Sequence, residues 1–316
     1  MAKYVKTEQG YIDITTNFAP PQFKPAGKSY LTFSSISSFT LAVNDRTKHW
    51  NGTLEYFASD KTWTTWDGTT TLSAVGDDGE YFLYLRGTGN TVITGGYINY
   101  KWVLTGDDIV CVGNIESLLD YTIVASGGHP TLAANCYNGM FQGCTALTQA
   151  PSLPATTLGD GCYNSMFEGC TSLTQLPSLP ATTLEPFCYK YMFQGCTSLK
   201  LSSTKTDEYM QEYRIPFSVD GVTTTESLLN MFASTGGTFT GTPSINTTYY
   251  LSSNNMIVRE TEIATLNGYV DSMIDAAIGE YADTAEYIIP SSTAGSTKKF
   301  KITVDDTGTI SATEVI

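Results

Sequence analysis

The chain has 316 residues, long enough for two or three domains that each bury a core of their own. Its formal net charge of −14 is spread along the chain, which argues against nucleic acid as a partner and disfavours an anionic lipid surface, because phosphates demand clustered Lys and Arg. Only 15% of residues are charged while Thr, Ser, Gly and Tyr abound, a composition that suits short strands and turns better than helices.

Residues 1–29 read as an N-terminal arm. Apolar residues alternate weakly through Tyr4, Tyr11, Ile12 and Phe18 before Pro20, Pro21 and Pro25 break regular structure. No apolar core follows the first lysines, so the start does not read as a secretory signal, and a chain made and first folded in a cytosol is expected. No stretch has the apolar length of a membrane span.

Residues 30–112 switch to short β segments such as SYLTFSSISSFTLAV and GEYFLYLRG. They are parted by turn signals at Asn51-Gly52, Asp67-Gly68 and Asp78-Gly79. Turns at this spacing without a helical stretch predict an antiparallel, immunoglobulin-like β-sandwich. The run Arg86-Gly87-Thr88-Gly89-Asn90 hints at a phosphate cradle, but no helix follows to hold an anion, and a hairpin turn is expected there.

Residues 113–255 contain a repeat. CYNGMFQGCTALTQAPSLPATTLGDG is followed by CYNSMFEGCTSLTQLPSLPATTLEPF and then CYKYMFQGCTSLK, so Cys136, Cys162 and Cys188 recur every 26 residues. Met231-Phe232 marks a degenerate fourth unit, and Glu-Ser-Leu-Leu elements flank the array on both sides. Asn114 is placed to start a short helical turn over Ile115, Leu118 and Leu119. Leu147, Leu173 and Leu199, with the Met-Phe pairs, can be buried only by stacking one unit on the next. Gly143, Gly169 and Gly195 sit where the coil must turn sharply.

Six of the seven cysteines pair at a step of eight as Cys136/Cys144, Cys162/Cys170 and Cys188/Cys196. That spacing is not that of zinc ligands, and the chain has only His49 and His129, so buried thiols in register are expected and no metal. Disulfides between units are conceivable, and nothing in the sequence requires them. Tyr137, Tyr163 and Tyr189 recur once per unit: facing out, they make a ligand-binding stripe joined by Trp63 and Trp66; facing in, they are core.

The Leu-Pro-Ala-Thr segments at 153 and 179 mimic a sortase signal but recur with the repeat. The acidic pairs Asp77/Asp78, Asp107/Asp108 and Asp305/Asp306 stand in turn-like contexts, and no nucleophile has a histidine in a catalytic setting. No active site, enzyme activity or cofactor is expected.

Residues 256–286 carry Ile263, Leu266, Val270, Met273 and Ala277 at steps of 3 and 4, a short seam widened by Ile274 and Ile278. Its partner is either the body of the protein or copies of itself, and the wide seam leans towards a homotrimer. Residues 287–316 predict a β segment in which Phe300, Ile302 and Val304 alternate before a turn at Asp305-Asp306-Thr307-Gly308.

The repeats over Asn114 to Ile245 resemble the BspA-like leucine-rich repeats of bacterial surface proteins and gut bacteriophages: an aromatic, a Gly-Cys, a Ser-Leu-Thr run and a Pro-rich edge. In place of the common Ile-rich strand this chain has Leu-Pro-Ala-Thr-Thr-Leu. The end, KKFKITVDD followed by Thr-Gly and a short strand, resembles the C-termini of bacteriophage head fibres and related fibre proteins. These likenesses imply a mainly β, multidomain protein with a leucine-rich-repeat solenoid. They imply a non-enzymatic virion structural protein, a fibre or capsid decoration assembled in the host cytoplasm. It would bind other virion proteins, of capsid or tail, and a host surface protein or glycan. The alternative is an exported bacterial cell-surface adhesin.

Overall fold

The computed structural model describes residues 4–7, 10–13, 23–26, 29–77, 79–95, 100–215, 224–258, 287–290, 299–304 and 310–315. The chain is mainly β, with a single α-helix among the described residues. It divides into two units, Met1–Glu260 and Thr261–Ile316.

In the first unit, β1 (Tyr4–Thr7) and β2 (Gly10–Asp13) pair antiparallel. Nine short strands follow: β3 (Leu31–Ser35), β4 (Thr40–Val43), β5 (Thr53–Phe57), β6 (Trp63–Trp66), β7 (Leu72–Ser73), β8 (Val75–Asp77), β9 (Glu80–Thr88), β10 (Trp102–Thr105) and β11 (Ile109–Val112). Strand β4 lies between β10 and β7 in a three-stranded sheet. In β3 the burial alternates residue by residue, so Leu31 and Phe33 enter the core, as Leu41 and Val43 do from β4.

Four turns share one chemistry. Asp45, Asp60, Asp67 and Asp120 each accept the amide of the residue two positions on, always a threonine, and so close Asx turns. The glycine run after Arg86 does not make the expected hairpin. Arg86–Thr88 continue β9 beneath helix α1 (Ser117–Ala125), and a Cβ on Gly87 would lie 1.7 Å from the Leu118 carbonyl oxygen. Asn90, buried just beyond, donates to the carbonyls of Thr53 and Leu118 and accepts from the Gly52 amide. Asn114 acts just before the helix, where its Oδ1 accepts the Glu116 amide; Asp120 interrupts the helix and caps its second part through Thr122 and Ile123.

The repeats continue the larger sheet. Strands β12 (Leu147–Gln149), β13 (Gln175–Pro177) and β17 (Met256–Val258) add in parallel beyond β11, in the order β17-β13-β12-β11-β3-β9-β5-β6, with β8 beside β9. One buried cluster therefore runs from Leu31 to Leu251 without a break at residue 112. The first two repeats, which carry the Leu-Pro-Ala-Thr segments, each have a strand of only three residues.

Between strands, each repeat is a run of tight turns. The amides of Tyr137, Gly139, Phe141 and Gly143 cross to the carbonyls of Cys162, Asn164, Met166 and Glu168, while those of Asn138, Met140, Gln142 and Cys144 bond three residues back. Every fourth residue is left-handed: Asn135, Gly139 and Gly143, then Gly161, Ser165 and Gly169, then Phe187, Tyr191 and Gly195, then Glu226, Asn230 and Ser234. The pair after each of the first two left-handed residues of a unit turns inward, and after the third only the first of the two does. Phe141, Phe167, Phe193 and Phe232 thereby form one column with centroids 5.5–5.6 Å apart.

Both ends of the stack are covered. At the first, Trp102 and Phe33 meet Phe141 edge-on and the Trp102 amide donates to the Met140 carbonyl. At the other, β14 (Leu201–Ser202) and β15 (Tyr209–Arg214) flank β16 (Thr248–Ser252), and Tyr213 meets Phe232 edge-on. In the second unit, β18 (Tyr287–Pro290), β19 (Lys299–Val304) and β20 (Ile310–Val315) form an antiparallel sheet in that order.

Candidate binding surface

The repeat tyrosines take the inward of their two possible orientations. Tyr137, Tyr163 and Tyr189 are at most 1% exposed, and their rings stack at 5.7 and 5.9 Å. Each follows a cysteine in the inward pair after a left-handed residue, and the Tyr137 hydroxyl donates to the Ile115 carbonyl. They present no ring to a ligand, so the outward, ligand-binding alternative for these three residues is not the one the chain adopts. Trp66 is also core: its ring packs on Trp50 and Trp102, and its indole N–H donates to the Thr70 carbonyl.

Trp63 is half-buried. The Arg86 guanidinium carbon sits 4.1 Å from its ring centroid and 4.2 Å from that of Tyr121, and the Arg86 Nε donates to Glu55 at 2.8 Å. Behind Trp63 lies a second aromatic cluster of Phe23, Tyr30, Phe57 and Tyr84. Phe23 brings the arm onto it, and its amide donates to Asp77.

All seven cysteines are reduced and buried. Burial pushes their thiols up, Cys144 to about 11 and Cys188 to about 12, so they stay protonated and unreactive at neutral pH. Among the described residues no group of three His, Cys, Asp or Glu side chains is placed to hold a metal.

Asp107 and Asp108 are exposed in the turn between β10 and β11, whereas Asp78 and the pair Asp305/Asp306 lie outside the described residues. His49 stacks on Tyr100, but Asp45 and Thr47 both meet its Nε2, so the ring cannot pass a proton between them. His129 Nδ1 lies 2.7 Å from the fully buried carboxylate of Glu116. An open cleft of about 240 Å³ is bounded by Leu179, Pro180, Glu212, Arg214 and Ile257. Ile263, Leu266, Val270, Met273 and Ala277 lie outside the described residues.

One surface cluster escaped the sequence reading. In the third repeat, Lys190 Nζ lies 5.3 Å from the Phe187 ring centroid and 4.9 Å from that of Tyr191, and it donates to Glu226 of the fourth. The signal was present in the sequence: Phe187, Lys190 and Tyr191 replace Gly161, Asn164 and Ser165 of an otherwise near-identical unit.

Compared with family models, with curated proteins and with solved structures, the chain matches none. No helix among the described residues is long and apolar enough to cross a membrane.

Proposed function

We propose that the chain is a non-enzymatic bacteriophage virion structural protein, a head fibre or other fibre or decoration protein. It displays its repeats for adhesion to a host surface protein or glycan. In this reading the N-terminal strands form an immunoglobulin-like sandwich and the stack is a short BspA-like leucine-rich-repeat solenoid. The observation that carries the reading is the interior placement of the repeats' thiols, phenols and thioethers: Cys, Tyr and Met of every full unit are buried. What such an array contributes is then its outer wall, held at fixed length by the covers at its two ends.

The virion assignment is supported by the resemblance of KKFKITVDD and the residues after it to fibre C-termini, with Lys299–Val304 and Ile310–Val315 paired as a hairpin. The seam of Ile263, Leu266, Val270, Met273 and Ala277 supports a homotrimer.

Electron microscopy of purified particles, with an antibody against the full chain, tests this. Label on the particle at threefold-related positions is the expected result. Label confined to the envelope of uninfected bacteria would replace the reading with the adhesin. Light scattering on the isolated chain is expected to give three times its 34.3 kDa mass.

A further inference from the structure

Residues in sparsely allowed backbone regions persist only where the surroundings over-determine them, and they concentrate at functional sites. A left-handed φ is especially unfavourable for bulky side chains. Phe187 has φ +59° and Tyr191 has φ +57°, whereas the two preceding repeats place Asn135 and Gly161, then Gly139 and Ser165, at the same corners. The stack therefore forms without aromatics there. The strain is held by cross-repeat bonds, from the Phe187 amide to the Thr225 carbonyl and from the Tyr191 amide to the Leu229 carbonyl.

Glu226, at a third left-handed corner with φ +50°, converges on the same point. Its carboxylate meets Lys190, whose amine lies over both rings. The lysine side chain is 19% exposed and the glutamate 44%, so the group is half-open to solvent. The ion pair holds the ammonium in place and raises its affinity for the proton.

We propose that Phe187, Tyr191, Lys190 and Glu226 form a subsite for a neutral saccharide. The local charge sums to zero, so neither an anion nor a cation is favoured, and the net charge of −14 disfavours acidic polymers further. What remains is a pair of apolar rings beside one fixed donor and one fixed acceptor. A sugar ring is complementary to that set: its C–H faces lie on aromatic surfaces while its hydroxyls both donate and accept. The site rests on the display reading above and names the contact through which the repeats would adhere.

The test uses the full chain on an immobilised panel of neutral hexose and N-acetylhexosamine oligosaccharides. Its variant is Phe187→Gly with Tyr191→Ser, the residues of the preceding repeat. The variant is expected to melt no lower than the parent and to bind about tenfold or more weakly; Lys190→Asn is expected to weaken binding as well. A parent that binds nothing on the panel, or a folded double variant that binds as well as the parent, overturns the site.

Intact host bacteria separate this result from the display reading. Cell binding unchanged in the double variant overturns the site and leaves the display reading standing. No cell binding, with panel binding that the variant loses, does the reverse. Cell binding abolished by protease and untouched by periodate points to a protein partner and overturns the saccharide.

Discussion

The Cys170 thiol donates to the Phe141 carbonyl at 3.1 Å, reaching from one repeat to the unit before it. Cys196 does the same to Phe167 at 3.0 Å, and Cys144 to Trp102 at 3.3 Å, so the thiols stitch successive coils together and tie the first to the N-terminal sheet. A small apolar group with a weak donor suits this place: it fills the coil interior and still meets a carbonyl.

These thiols set an alkaline limit on the fold. Burial raises every one of them above the ordinary value of 9.0, Cys144 to about 11 and Cys188 to about 12, and it raises Tyr137, Tyr163 and Tyr189 as well. A group whose folded value is raised contributes stability in full below its unfolded value, and that stability is lost as pH rises. Each thiol that ionises only in the unfolded chain removes about 1.4 kcal/mol per pH unit above 9. All seven cysteines are affected, so a domain of ordinary stability unfolds between about pH 9.5 and 10.5. Far-ultraviolet circular dichroism during a base titration under reductant measures this. A fold intact at pH 12 would contradict it. At pH 8 a thiol reagent is expected to label no cysteine until denaturant is added.

Asn255 makes a polar clamp of a different kind. Its Oδ1 accepts the Lys200 amide, and its Nδ2 donates to the carbonyls of Thr174 and Ser198 while the residue is only 2% exposed. It thereby secures β17 to two repeats at once. Asn255→Ala leaves the part-buried Lys200 amide and Ser198 carbonyl without this partner and is expected to cost about 2 kcal/mol. The urea midpoint reports the loss, and an unchanged midpoint would dismiss the clamp.

Two glycines two residues apart separate close approach from backbone strain. Gly87→Ala pushes a Cβ into the Leu118 carbonyl, forces α1 off β9, and is expected to cost about 4 kcal/mol or prevent folding. At Gly89 a Cβ would meet nothing within 4 Å, but φ is +64°, so Gly89→Ala is expected to cost only about 1 kcal/mol. Equal losses at the two sites would refute the distinction.

How far the sequence could be read follows from these cases. Exact repetition made the stacking of Phe141 on Phe167 and the left-handed Gly143 legible, because one unit without a neighbour exposes its apolar residues. The inward tyrosines were legible in principle. Cys136-Tyr137, Met140-Phe141 and Cys144 recur every four residues, a period that belongs to a run of turns and to neither helix nor strand. Contacts between distant segments carried no such period. Nothing near Asn255 announces that it bonds Thr174, and the boundary expected at residue 112 gave no hint that β11 and β12 pair. The Lys190 cluster was visible only as a departure from the repeat.

Arg86 offers the last test, because its two ring partners come from different elements, Trp63 from β6 and Tyr121 from α1. The planar guanidinium can lie against both rings while its Nε serves Glu55; an ammonium on the same stem is a point charge that can satisfy one of these at a time. Arg86→Lys keeps the charge and loses the stacking, at an expected cost of about 1 kcal/mol after allowance for partial exposure. Arg86→Ala also uncovers the aromatic cluster behind Trp63 and is expected to cost about 2 kcal/mol. Because Arg86 lies against Trp63 while Trp50, Trp66 and Trp102 are buried, both variants are expected to redden tryptophan emission. If lysine restores both midpoint and emission to the parent values, charge alone holds the helix to the sheet here and the stacked geometry is incidental.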